Sequence, residues 1–160
     1  MPSERIEQIK QQLAEARHRL DRVLDAAEAH QDTVVFSDGQ GWTVRHLAVH
    51  LADADRGSAR QVMGIAAGQE VIPPDFDLDR YNRRAVEKRA DMTYAEARAA
   101  LAASRAELLA WLDTIDDAAL DAQGRHASLA IMSVEEILGV MARHERAHAD
   151  DIARAAGLEA

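Results

Sequence analysis

The sequence predicts an all-α protein, a four-helix bundle formed by a single domain spanning residues 1–160. Three observations carry this. Hydrophobic residues make up 48% of the chain and aromatics only 4%, a balance that suits Ala, Leu, Ile and Val at helix contacts rather than aromatic-rich strands. Apolar residues recur at helical spacing in four long segments. Two of those segments open on a complete capping box.

The first helix is predicted from Ser3 to about His30, with Ile6, Ile9, Leu13, Leu20, Val23 and Leu24 as its apolar stripe. The turn-rich stretch QDTVVFSDGQG ends it. Thr43 caps the second helix, with Trp42 and Leu47 spaced as a hydrophobic staple, and the helix continues through Leu51, Val62 and Ile65 to about Gly68. QEVIPPDFD follows, and its paired prolines stop any helix. This connection is long for two adjacent antiparallel helices and suits a crossover at the end of a bundle.

Asp77 starts a third helical stretch, LDRYNRRAVEKRA, with Phe76 and Tyr81 as its staple. Thr93 and Glu96 form a capping box that restarts or continues the helix through Leu101, Leu108, Leu109 and Leu112. DAQGRHASLAIM reads as a loop. Ser133 and Glu136 then open the last helix with a second box, Met132 and Ile137 are placed as its staple, and the helix runs to about Ala156 and ends at Gly157. There is no internal repeat and no low-complexity tract.

Composition excludes several functions. A net charge of −9 argues against nucleic acid and anionic membrane as partners, because a phosphate surface demands a basic face. The absence of Cys removes disulfides, Cys-based zinc sites and a cysteine nucleophile together. The charged, amphipathic N-terminal stretch has no secretory apolar core, and no apolar run is long enough for a membrane span. A cytoplasmic protein is expected. The apolar helix faces also suit a homodimer.

His144, Glu145 and His148 spell H-E-x-x-H, the zinc signature of metalloproteases. Two His at i and i+4 share one helix face, about 6 Å apart along the axis, and can converge on one ion. Both protease readings fail on the third ligand. Few residues follow His148, and Asp151 and Arg154 stand where the extended pattern needs glycine and histidine. The partner must lie upstream, among His18, His30, His46, His50 and His126. His126 falls in the predicted loop and His30 at a helix end, while His18 lies between the faces of the first helix. His50 lies about 10.5 Å into the second helix and His148 about 12 Å from the end of the last. If those helices run antiparallel, the two sit at nearly one depth. His50 is favoured, with His46 one turn nearer the mouth as the reserve.

W-T-V-R-H-L-A-V-H-L, containing His50, followed some ninety residues later by H-x-x-x-H in the last helix, resembles the DinB-like superfamily. The resemblance extends over about residues 5–157 and takes in the long second connection and the pair Tyr81 and Asn82. The family includes bacillithiol- and mycothiol-dependent transferases and the N-terminal domain of mycothiol-dependent maleylpyruvate isomerase. It implies an up-down-down-up four-helix bundle, often dimeric, with zinc or nickel held by three His. Carried over, the metal ligands are His50, His144 and His148. Relatives closest to the isomerase often have Glu at the position of His144 and carry a further C-terminal domain, so that isomerisation is not implied.

Three neutral imidazoles leave a divalent ion its full charge and an open position, the pattern of catalytic rather than structural sites. With no Cys in the chain, a sulfur nucleophile must come from a low-molecular-weight thiol cosubstrate. The expected function is therefore metal-dependent transfer of a small thiol to an electrophilic small molecule. Metal-dependent hydrolysis and a non-catalytic small-molecule-binding or stress-protection bundle are the alternatives. No catalytic side chain is assigned. Glu145, rotated by about 100° from its neighbouring ligand, is expected to be a solvated surface acid. Asp53, about one turn after His50, and Asp151, three residues after His148, are placed to orient the ligands as acceptors, with ordinary surface acids as the favoured reading. Arg143, Arg146 and Arg154 are candidates for receiving an anionic substrate, and Tyr81 and Asn82 have no derived role.

Overall fold

The computed structural model describes residues 3–35 and 41–158. Four long helices dominate: α1 (Glu4–Ala26), α2 (Val44–Ala66), α4 (Tyr94–Leu112) and α6 (Val134–Ala155). A short helix α3 (Leu78–Lys88) precedes α4, and α5 (Asp117–Asp121) and a two-stranded ribbon precede α6. The starts of the four long helices and of α3 are set by the residues that the spacing predicts. The side chains of Ser3, Thr43, Asp77, Thr93 and Ser133 accept from backbone N–H groups of the first turns, and the boxes of Thr93 with Glu96 and Ser133 with Glu136 are complete. Gly68 (φ 78°) and Gly157 (φ 71°) follow α2 and α6 in the left-handed conformation that ends them.

Cross-helix pairs give the direction of each helix. Arg17 meets Glu145 and Arg19 meets Asp150, so α1 and α6 run parallel. Arg45 reaches the Met92 carbonyl and Asp55 meets Arg105, so α2 and α4 run parallel. Arg17 donates to the Leu101 carbonyl and Arg105 to that of Leu13, so α1 and α4 are antiparallel. The order is up-down-down-up, and the connection through residues 67–93, with α3 in it, makes the crossover.

The ends of the sequence-predicted elements differ in two places. The first helix stops at Ala26, and Glu28–His30 forms a separate 3₁₀ turn. The predicted loop 121–132 is structured: β1 (Gln123–Arg125) pairs antiparallel with β2 (Ile131–Ser133), and Leu129 takes φ 74° in the turn between them. Three-residue strands show too little alternation to register in sequence. In the preceding connection, Phe36, Ser37, Asp38, Gly39 and Gln40 lie outside the described residues, while Val34 bridges to Thr43.

The interior is two apolar clusters rather than one. One gathers Leu20 and Leu24, Leu47 and Leu51, Leu101, and Ile152. The other gathers Ile6 and Leu13, Val62 and Ile65, Leu108, and Ile137 and Leu138. That distribution also places the start of α2 beside the end of α6, so these two helices are antiparallel. Between the clusters lies a polar layer, and the histidines of interest sit at its edge.

Candidate metal centre

The polar layer has one charged residue from each long helix: Arg17 of α1, Asp55 of α2, Arg105 of α4 and Glu145 of α6. All four are buried, Glu145 to 3% exposure. Glu145 Oε1 accepts from Arg17 Nη2 at 2.6 Å and from Arg105 Nη2, and Asp55 Oδ1 lies 3.0 Å from Arg105 and 3.3 Å from Arg17. Two guanidiniums and two carboxylates leave the layer neutral. Each arginine also donates to a backbone carbonyl of the facing helix, which helps to offset the desolvation of buried charge. Glu145 is thus an interior ion-pair partner, not the solvated acid expected from its place beside His144. Helical spacing from Met141 and Ile152 puts it on the apolar stripe of α6.

His50 and His144 meet immediately beside this layer. His50 Nε2 lies 3.3 Å from His144 Nε2, which lies 3.1 Å from His148 Nε2. The rings are nearly perpendicular to one another, at 75°, 86° and 88°. Their nitrogen-bearing edges therefore converge, with one ligand atom from each residue within 4.8 Å of the others. Tetrahedral bonds of about 2.0–2.1 Å would place such nitrogens about 3.3 Å apart. The donor set and spacing fit a divalent ion.

The protonation states fit as well. Burial, followed by the neighbouring His144 and His148, pushes His50 down to about 3. Burial and His148 push His144 down to about 4. Both imidazoles are neutral at physiological pH, with lone pairs available to a metal. Trp42 packs on the His50 ring at 5.1 Å between centroids. On the third ring, His148 Nδ1 lies 3.4 Å from Asp151 Oδ2, a place from which a carboxylate orients a ligating imidazole.

The other predicted residues separate cleanly. His46 Nδ1 accepts from the Thr43 backbone N–H at 3.0 Å, and His46 N donates to the Thr43 hydroxyl. The reserve ligand is thus the N3 member of a capping box, T-x-x-H, in which imidazole replaces the usual Glu. His18 and His30 are exposed on α1 and the 3₁₀ turn. Arg146 pairs with Glu15 and Arg154 with Asp151, and Arg143 is exposed, so these three arginines serve the helix surface. Asp53, expected at the surface, is buried and pairs with Arg89 at 3.2 Å.

A cavity of about 340 Å³ opens against the histidines, within the range of small-molecule sites. Its apolar wall includes Leu51, Ile72, Phe76, Leu78 and Met141, and its polar wall includes Asp53, Tyr81, Asn82 and His126 with His50 and His144. Tyr81 and Asn82 thereby acquire a place that sequence alone did not give them. Burial, with Asp53 next, raises the Tyr81 phenol, which stays protonated. His126 arrives from the β1–β2 turn. Its Nδ1 accepts from the Ser128 backbone N–H at 3.1 Å. A nitrogen that accepts carries no hydrogen, so neutral His126 holds its proton on Nε2.

The DinB superfamily pattern matches residues 12–152. No curated protein matches the chain. Among solved structures, YfiT from Bacillus subtilis, described as a probable metal-dependent hydrolase with an unusual four-helix bundle topology, is 22% identical. It aligns over 99% of this chain and 91% of its own, with a TM-score of 0.74. The mycothiol-dependent maleylpyruvate isomerase is 20% identical with a TM-score of 0.69, over 90% of this chain and 60% of its own. A variant of that isomerase gives 19% and 0.70. At these identities the structural likeness establishes the fold. With most of its length matched by the family pattern and its four helices in the same order, the chain belongs to the DinB superfamily.

Proposed function

We propose that the protein is a metal-dependent enzyme in which His50, His144 and His148 hold a divalent ion, zinc or nickel, and a small thiol is activated for attack on an electrophilic small molecule. The observation that supports it most directly is the convergence of three imidazole nitrogens, with His50 and His144 in the wall of a largely apolar cavity and His148 behind them. When bound, the ion would act as a Lewis acid, lowering the pKa of a thiol or water that approaches its open side.

The chain's own residues prepare the rest. Burial keeps His50 and His144 neutral, Trp42 and Asp151 limit the motion of two of the rings, and the neutral polar layer fixes the helices that carry them. The Nε2–H of His126 is a hydrogen-bond donor on the cavity wall, suited to holding the electrophile or its leaving group, while the Tyr81 hydroxyl is bonded to Asp53 and leaves its oxygen as an acceptor. Leu51, Ile72, Phe76 and Met141 exclude water from the reacting atoms. The absence of Cys in this chain requires the sulfur to come from a cosubstrate.

Hydrolysis is the second reading, favoured by the near full-length likeness to a protein described as a probable metal-dependent hydrolase. One experiment separates the two. Zinc- and nickel-loaded protein is incubated with a small thiol and a simple electrophile, and with an activated ester alone. Thiol adduct formed faster than with metal-free protein supports transfer, ester cleavage without thiol supports hydrolysis, and neither rate above the metal-free control would sink both.

A further inference from the structure

The charges around the cavity are distributed unevenly. Inside, every carboxylate is matched by an arginine: Asp53 by Arg89, and Asp55 and Glu145 by Arg17 and Arg105. The interior therefore offers no unpaired negative charge to a cationic ligand. The rim differs. Helix α3 and its two caps carry Arg80, Arg83, Arg84, Lys88 and Arg89 against Asp77, Asp79 and Glu87, five cations against three acids in a chain whose net charge is −9.

Arg80, Arg84 and Lys88 stand at i, i+4 and i+8, which puts them on one face of α3. All three are exposed, and among the described residues none has a carboxylate in ion-pair range. They line a shallow depression with Asp75 and Asp77, and that depression shares Phe76 and Tyr81 with the main cavity. Of the two acids, Asp77 is already occupied as the cap of α3, accepting from Arg80 N at 3.1 Å. Arg60 of α2, on the wall of the main cavity, adds a further exposed cation close enough to act on the Tyr81 phenol.

Like charges held i and i+4 apart repel one another. An acidic chain that gathers them beside an apolar cavity gains a field that draws and orients anions. We propose that the cavity takes an amphipathic acid, a small molecule whose apolar body lies between Ile72 and Phe76 and whose carboxylate, sulfonate or phosphate is received by Arg80, Arg84 and Lys88. This rests on the reading of the cavity as a substrate site. It assigns the substrate class and makes α3 the specificity element.

The test uses two fluorescent probes with one ring system, 1-anilinonaphthalene-8-sulfonate and the uncharged N-phenyl-1-naphthylamine. Both are titrated into the metal-stripped full chain at low salt, so that the sulfonate cannot be held by the ion. Saturable binding of the sulfonate at one site per chain is expected. The Arg80→Gln/Arg84→Gln/Lys88→Gln variant, altered only at exposed positions, should weaken it by about tenfold or more while moving the neutral probe less than about twofold. Arg84→Glu alone should weaken the sulfonate in the same direction, and Phe76→Ala should weaken both probes. Absence of saturable sulfonate binding, equal effects of the triple variant on both probes, or indifference to Phe76→Ala would overturn the proposal. Zinc stoichiometry is measured on the same proteins. Loss of zinc binding with sulfonate selectivity retained would sink the metal reading alone, and zinc bound without selectivity would sink this one alone.

Discussion

Arg17 on the first helix donates to Glu145 on the last at 2.6 Å, across 128 positions of sequence and inside the bundle. The pair belongs to a layer that draws one charge from each long helix and parts the apolar interior into two. Such a layer is costly to desolvate and strongly destabilising to break. Its position, one residue from His144 and five from His50, ties helix register to the place where the imidazoles meet.

Removing one member should therefore cost far more than a surface ion pair. Glu145→Gln leaves two guanidiniums facing a single carboxylate and should destabilise the protein by about 3–5 kcal/mol in urea unfolding. Replacing Glu145 and Arg105 together by Leu retains the Arg17–Asp55 contact at 3.3 Å and a neutral layer. The double variant should lose markedly less than the sum of its singles. Additive losses would show that the four charges do not act as a unit.

Metal binding should depend on three imidazoles and not on a fourth. Singly, His50→Ala, His144→Ala and His148→Ala should each abolish stoichiometric zinc or nickel, measured by mass spectrometry on dialysed protein. His46→Ala should keep the metal and lose about 1 kcal/mol of stability, because it removes one arm of a helix cap. Metal retained by the His50 variant at the parental level would refute the interhelical site.

How much of this was legible in the sequence differs by element. Helix starts were, because a cap is a local event: Thr43, Asp77, Thr93 and Ser133 sit where the side-chain oxygen meets the first-turn N–H groups. The meeting of His50 with the pair His144 and His148 was also legible, since helical rise places His50 and His148 at nearly one depth once the helices are antiparallel. Glu145 was misjudged because its angle was measured from His144, its neighbour, rather than from Met141 and Ile152, the stripe it shares. A usable signal existed. Arg17 lies between Leu13 and Leu20, Asp55 between Leu51 and Val62, Arg105 between Leu101 and Leu108, each at core spacing. Two cations and two acids so placed predict a buried, neutral layer. His126 was set aside because a short ribbon, which leaves little periodicity, is what carries it into the cavity.

The depressed histidines give the metal-free protein a defined pH dependence. In the unfolded chain an imidazole takes up its proton near 6.5, whereas folded His50 does so only at about 3 and His144 at about 4. Between these limits the unfolded state binds more protons, so stability is greatest above about 6.5 and falls as pH falls. The loss should be on the order of 1–2 kcal/mol per histidine by pH 5. In His50→Gln/His144→Gln the slope between pH 7 and pH 5 should be visibly shallower. An equal slope in both proteins would mean that the buried rings are not what titrates.

The cavity wall can be altered without touching any histidine. A Cβ on Gly64 of α2 would lie 2.3 Å from Val71 Cγ2, far inside van der Waals contact. Valine has no flexible end with which to retreat, so the segment that brings Val71 and Ile72 to the cavity has to move. Gly64→Ala should therefore destabilise the protein by about 1–3 kcal/mol, even though alanine is the better helix former. Zinc stoichiometry should stay at the parental value, because the imidazoles lie on α2 and α6 away from the clash. The affinity for apolar probes should fall, since a displaced Ile72 no longer closes the wall. If Gly64→Ala instead stabilises the chain and leaves probe affinity unchanged, the packing of the 67–77 connection against α2 is not what shapes the cavity.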